Sequence, residues 1–420
     1  MLSILFLLLC GCKSPSEIVS DFNDFLDSGI TKTYESINRV VSEAVSEVVE
    51  DSGIDKNDIV TITPIEVTLS TGELSAYNKL NSKQKKLYAV MLAAVNDMEL
   101  RNIKVTKYLS EDGFSDSIIV HRAVMCDHPE IFWMPKTITY LSLENRPDKY
   151  IAFKDYYGER DDKGFYGITK SEKEAMENNF NAAVNKALAG AKNLGSFFEK
   201  ELYLHDYICN VTTYDSESAS NLENANPNSM TAYGALVEGK AICEGYSKAM
   251  QLLCNKCSIP CNVIFGEHEG VPHMWNIINP GDGLYYLDTT FDDCSSEHIL
   301  HIYFNVTKDS ILKDRNFDEP FSQGNKYDGS YSFNFFDSDC RSTALNYFER
   351  NGAYIDYDCT AAINCILAAA QEGKNSSELK NRTDLSSQKA FDLLCKRARG
   401  IIDFQYCYRY DNENIIIAVW

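Results

Sequence analysis

The chain has 420 residues, room for about two or three domains, and a hydrophobic fraction of 44% that suffices for a substantial core. Its formal net charge of −21 removes the electrostatic basis of nucleic-acid binding, since phosphates attract Lys and Arg, and disfavours adhesion to anionic lipid. Fourteen cysteines leave the redox compartment open: several sit in apolar stripes, as Cys254, Cys365 and Cys395 do, where a reduced thiol packs as a small hydrophobe.

Leu2 to Leu9 is an apolar run too short to span a bilayer and of the right length for a signal-peptide core. Leu9-Cys10-Gly11-Cys12 then resembles a bacterial lipobox, with Cys12 as the lipidated residue. That implies a mature chain anchored in the membrane by lipid, outside the cytoplasm. No Lys or Arg precedes the run, so an ordinary cleaved signal or a mis-assigned start is the alternative.

Lys13 to about Thr31 is polar and reads as a tether. From Tyr34 to Val49, Ile37, Val40, Val41, Ala44, Val45 and Val48 fall on a helical stripe, weakened by its β-branched content. Ile59 to Leu69 alternates as a strand broken at Pro64, and a helix opening at Ser82 follows. Ile118 to Val120 reads as a strand. Ile138–Leu143 and Tyr150–Phe153 read as paired strands, and Gly158 to Gly164 as a charged loop. Ser171–Ala191 and Ser196–Tyr207 are helical, with His205-Asp206 taken as packing. Tyr214 to Ser229 is a polar surface loop whose Asp215, Glu217 and Glu223 either attract basic substrates or are simply solvated.

After Gly239, the residues Tyr246, Ala249, Met250, Leu253, Cys254 and Cys257 fall on one helical stripe that begins at Cys243. The first turn of a helix has N–H groups without intrahelical acceptors and partial positive charge, which stabilise a negatively charged sulfur. Gly245 weakens this helix, as expected where something must approach its backbone closely. Cys261 to Phe265 is a short buried strand, and His273 to Asn279 is a second.

Pro280 to Gly283 reads as a four-residue hairpin turn that pairs Asn279 with Leu284 and sets Trp275 opposite Asp288. His273 and Asp288 become diagonal neighbours on one face, close enough for a carboxylate to hold an imidazole. A different register would substitute Asp292 or Asp293. The chemistry is that of a cysteine nucleophile with a histidine base oriented by a carboxylate.

Three stretches, GALVEGKAICEGYSKAMQLL, VPHMWNII and YYLDTTFDD, resemble the transglutaminase-like superfamily. The resemblance implies a papain-like α+β core, with a Cys-bearing helix packed on an antiparallel sheet that bears His and Asp. It implies Cys243 as nucleophile, His273 as base and then acid, and Asp288 as the orienting group. An upstream side chain that helps bind the oxyanion is matched loosely by Tyr233. The segment Asp127-His128-Pro129-Glu130-Ile131-Phe132-Trp133 is similar to a signature preceding the core in bacterial transglutaminase-like lipoproteins, with a structural role.

The implied activity is hydrolysis of a peptide or amide bond in a protein or peptide substrate at the cell surface. Amide transfer to a lysine, as in a protein-crosslinking transglutaminase, and an idle binding module are the alternatives. No cofactor is required and oligomeric state stays open. Cys254-x-x-Cys257-x-x-x-Cys261 reads as packing and His298-x-x-His301 as an element surface, so no metal is expected. The organisation expected is a leader over 1–12, a tether and amphipathic helix over 13–70, and an N-terminal α/β domain over 71–190. The catalytic core follows over 191–312, then a small α/β appendage over 313–420.

Overall fold

The computed structural model describes residues 45–49, 54–69, 72–154, 168–221, 225–293, 298–326, 333–410 and 414–420. The leader, Cys12, the tether, Tyr34 to Ala44 and the loop Gly158–Gly164 lie outside these residues. Among the described residues no helix is long and apolar enough to cross a membrane.

The first strand, β1 (Val45–Val49), corrects the helix expected there: its valines pair in parallel with Thr139–Leu143. β-Branched residues are stiff at χ1 and prefer a ladder once a partner edge is available. β2 is only Ile59–Val60, and the chain through Pro64 to Leu69 makes no strand. Helix α1 (Ser82–Asn96) is capped by Asn81, whose side chain accepts from Gln84 N while the Gln84 side chain accepts from Asn81 N. β3 (Asn102–Lys104) follows.

Helix α2 (Gly113–Asp127) contains Ile118–Val120 and so overturns the strand expected there. Asp112 caps it, and nearly all of its residues are buried, so packing on every side overrides β-propensity. β4 (Thr137–Leu143) and β5 (Lys149–Lys154) pair antiparallel as expected, and the sheet order is β1-β4-β5-β3-β2. Helices α3 (Lys170–Ala191) and α4 (Phe197–Val211) each begin with a reciprocal capping box, Thr169 with Glu172 and Ser196 with Glu199.

The short strands β6 (Thr213–Tyr214) and β7 (Lys240–Ala241) pair in parallel just before helix α5 (Cys243–Lys256). Strands β8 (Cys261–His268) and β9 (Val271–Ile278) form a hairpin whose turn residues, Glu269 and Gly270, both have positive φ, at 50° and 81°. This is the backbone sense that matches strand twist in a two-residue hairpin. β10 (Tyr285–Leu287) returns along β9 with Tyr285 opposite Ile278, the register read from the sequence.

Ile302–Phe304, apolar enough for a strand, is a turn. The edge is instead β11 (Arg315–Phe317), antiparallel to β8, giving the order β10-β9-β8-β11. The boundary expected at 312/313 therefore falls inside the sheet.

Strands β12 (Glu319–Pro320) and β13 (Phe333–Asn334) form a small parallel pair. Beyond them β14 (Tyr354–Ile355), helix α6 (Thr360–Gln371), β15 (Ser376–Asn381), helix α7 (Ser387–Arg397), β16 (Tyr406–Tyr410) and β17 (Ile415–Val419) build a four-stranded sheet in the order β14-β15-β17-β16. The whole is the α+β class expected.

One apolar core runs from Leu74 to Cys340 and joins the five-stranded sheet and the β10-β9-β8-β11 sheet to α5, and a second fills the C-terminal sheet. Tyr303 and Tyr347 pack against both.

Candidate active site

Helix α5 starts where Ile242, in extended backbone, hands the chain to Cys243 with no side chain capping the turn. Gly239 (φ +68°) makes the left-handed turn that feeds β7, and Ile242 N donates to Ser229 O at 2.9 Å. Gly245 lies against the backbone: a Cβ there would stand 2.6 Å from Ser229 O and 3.0 Å from Thr231 O. Tyr246, Ala249, Met250, Leu253 and Cys254 are fully buried as expected, while Cys243 at the helix tip is half-buried.

One turn along, Ser247 Oγ donates to Met274 O (2.9 Å), and Asn276 Nδ2 donates to Ser247 O (3.0 Å). These two bonds fix the helix against β9, the strand that carries His273.

Asp288 follows β10 directly and is completely buried. His273 Nε2 lies 2.7 Å from Asp288 Oδ2, which leaves Nδ1 for the Cys243 thiol, within hydrogen-bonding reach of the ring. The ring is stacked on Trp275 and meets the edge of Phe291. Burial works against charge on His273, but the Asp288 carboxylate outweighs it and Cys243 adds to the effect, so its pKa rises to about 9. Burial likewise opposes charge on Asp288, yet His273 and Arg315 hold it well below the usual carboxylate range.

Arg315 was not foreseen. It is fully buried on β11, with Nη2 2.8 Å from Asp288 Oδ2 and Nη1 2.9 Å from Asp314 Oδ1 and 2.8 Å from His268 Nδ1. Its guanidinium lies over the rings of Phe291 and Tyr303. Burial and then Arg315 lower the pKa of His268 to about 4, so that ring is neutral; its Nδ1 also lies 2.9 Å from Asp314 O. The only sequence signal was the alternation of Arg315-Asn316-Phe317, just past the boundary expected at 312/313.

Tyr233 sits in an aromatic cluster. Its ring packs between Phe132 (4.9 Å) and Phe180 (5.9 Å), and its hydroxyl is bonded to Asn179. The upstream aromatic beside Cys243 is Tyr214 on β6, whose hydroxyl is raised by burial and by the nearby Cys243, Asp215 and Asp288 charges. Asp215, expected on a solvated lip, is buried instead. It accepts from Ser218 Oγ (2.6 Å) and Ser229 Oγ (2.5 Å) and pairs with Lys240 (3.0 Å), which pins Tyr214 to the chain leading into α5.

The back of α5 is braced by the C-terminal end of α2 and the segment that follows it. Gln251 Nε2 donates to Cys126 O (2.5 Å), and Lys136 pairs with Glu244, which also pairs with Lys248 at 2.7 Å. Burial opposes charge on Glu244, but the two lysines lower its pKa to about 2. Asp127 accepts from Ser75 Oγ (2.9 Å), Ala76 N (2.7 Å) and Tyr77 N (2.8 Å), which ties the same segment to the chain before α1.

The spare carboxylates point elsewhere: Asp292 faces His205, and Asp293 accepts from Tyr246 Oη. Cys254 and Cys261 lie buried side by side and Cys257 is half-buried. His301, expected on a surface, is buried between Asp206 and Glu378.

Residues 182–292 match the family model of the transglutaminase-like superfamily. The chain carries a transglutaminase-like domain. The match covers α4, α5 and the strands bearing His273 and Asp288, and ends before Arg315. Among solved structures, a TGase is similar at 20% identity over 40% of this chain and 45% of that one, with a TM-score of 0.28. A putative protease from Parabacteroides distasonis is similar at 10% identity over 36% of this chain and 39% of its own, with a TM-score of 0.20. The chain thus spans less than half the length of either. No curated protein matches it.

Proposed function

We propose that the transglutaminase-like domain is a thiol acyl-transfer enzyme that hydrolyses peptide or amide bonds, with Cys243 as nucleophile, His273 as acid and base, and Asp288 as the orienting carboxylate. The single observation that carries this reading is the continuous chain from Asp288 Oδ2 through the His273 ring to the Cys243 thiol. His273 takes the thiol proton, and the thiolate attacks the substrate carbonyl. The tetrahedral oxyanion is received at the Cys243 amide, the first of α5, with Tyr214 as its side-chain neighbour. Collapse breaks the C–N bond as the imidazolium gives its proton to the leaving amine, and a thioester remains. Water, deprotonated by His273, then releases the acid and the free thiol.

A lysine amine in place of water would make the domain a transglutaminase through the same thioester. The half-buried setting of Cys243 leaves the thioester reachable by water and favours hydrolysis. Incubation with a casein-like substrate and a fluorescent amine separates the two: shortened chains support hydrolysis, and fluorescent adducts support transfer. As part of the same reading, Cys12 carries a lipid that holds the enzyme outside the cytoplasm, where its substrates are surface proteins or peptides.

A further inference from the structure

The last turn but one of α4 and the chain entering the turn at Ile302–Phe304 bring two buried histidines onto one carboxylate. Asp206 Oδ1 lies 3.0 Å from His205 Nδ1 and 3.0 Å from His301 Nε2. The three ligand atoms lie within 4.8 Å of one another. Each ring's outer nitrogen faces a second buried carboxylate. His301 Nδ1 is 2.7 Å from Glu378 Oε2, while Glu378 Oε1 accepts from His301 N (3.1 Å). His205 Nε2 stands 3.2 Å from Asp292 Oδ2, and Asp292 Oδ1 is held by Tyr303 N (3.0 Å).

A neutral imidazole has one N–H and one lone pair, so it can satisfy only one of two flanking carboxylates; only the imidazolium donates to both. Both rings here are flanked on both sides. At His205, Nε2 and Asp292 Oδ2 are fully buried and 3.2 Å apart, and neither makes a hydrogen bond of good geometry. A divalent cation between the inner nitrogens resolves the conflict. Each outer N–H then donates to its carboxylate, the carboxylate–histidine–metal arrangement that fixes tautomer and ring plane. The ring plane of His301 is further fixed by stacking on Tyr347 at 3.9 Å and 7°.

We infer that His205, Asp206 and His301 form a zinc site, with Asp292 and Glu378 as the carboxylates that orient the two rings. Two imidazoles and a carboxylate suit Zn²⁺, whose bonds of about 2.0–2.1 Å put tetrahedral ligands a little over 3 Å apart. The Asp206 side chain is 38% exposed, which leaves one face for water as a fourth ligand. The ion would join α4 of the catalytic domain to β15 of the C-terminal sheet through Glu378. Its ligands are distinct from Cys243, His273 and Asp288, and its existence does not depend on the acyl-transfer reading.

The test is zinc binding by the full chain, stripped with a chelator and dialysed, and cobalt substitution of the same protein. We expect one zinc ion per chain that is lost in both His301→Ala and Asp206→Asn, and that binds about 10–100-fold more weakly in Glu378→Gln. The cobalt protein should show d–d absorption of a tetrahedral nitrogen and oxygen site without a thiolate charge-transfer band. That spectrum is read on the unmutated chain, so a variant that fails to fold does not remove the test. Zinc retention identical in the unmutated chain and Asp206→Asn, or a cobalt spectrum dominated by thiolate, would overturn the inference.

Discussion

Arg315 and His273 approach the same oxygen of Asp288, at 2.8 Å and 2.7 Å, with all three side chains shut away from water. The carboxylate thus has two cationic partners, one permanent and one that titrates. Arg315 keeps Asp288 ionised while the histidine changes charge. Removing it leaves a buried carboxylate dependent on the imidazole alone. Arg315→Met should destabilise the fold by about 3–5 kcal/mol, the range for breaking a buried pair by deleting one partner. Chemical denaturation measures this, and a loss below about 1 kcal/mol would show that Arg315 is incidental.

The raised pKa of His273 sets the alkaline edge of activity. Leaving-amine protonation needs the imidazolium, so kcat/KM for an amide substrate should fall as pH passes about 9. The charge of Asp288 is the chief opponent of burial there, so Asp288→Asn should move that edge to lower pH. Because the folded pKa lies above the ordinary value near 6.5, the pair's contribution to stability is complete below that pH and fades as pH rises through about 9. A pH–rate profile with the same alkaline edge in both proteins would rule out this assignment.

Tyr214 and Tyr233 should behave oppositely. If the Tyr214 hydroxyl helps receive the oxyanion, Tyr214→Phe lowers kcat by about 10²-fold or more with KM little changed. Tyr233→Phe, whose hydroxyl is bonded to Asn179, should leave kcat within about twofold, subject only to the packing of its aromatic cluster. Steady-state kinetics of the two variants decide between the tyrosines.

Gly245→Ala places a Cβ against the carbonyls of Ser229 and Thr231, backbone that cannot rotate away. A cost of about 1–3 kcal/mol is expected, with a shift of the α5 tip that slows alkylation of Cys243. Alkylation rates and thermal midpoints read both effects, and an unchanged rate in a destabilised variant would confine Gly245 to packing.

The site was legible where its geometry is local. The turn Pro280–Gly283 fixes the hairpin register, and period-2 burial then puts His273 and Asp288 on one face. The stripe from Tyr246 to Cys254 fixes α5 in the same way. What escaped depends on distant partners. Ile118–Val120 is β-prone, yet it is helical because the whole of α2 is enclosed. Val45–Val49 is a strand because Thr139–Leu143 offers it an edge. Arg315 and the His301 cluster are assembled by chain crossings that no periodicity encodes.

The central claim is that the Cys243 sulfur is the reacting atom. Reaction of the full chain with a peptide electrophile, followed by mass mapping, tests it alongside amide turnover in Cys243→Ala. The expected result is a single adduct at Cys243 in the unmutated protein, no active-site adduct in the variant, and turnover reduced to background with the fold intact by circular dichroism. Persistent turnover in folded Cys243→Ala contradicts it.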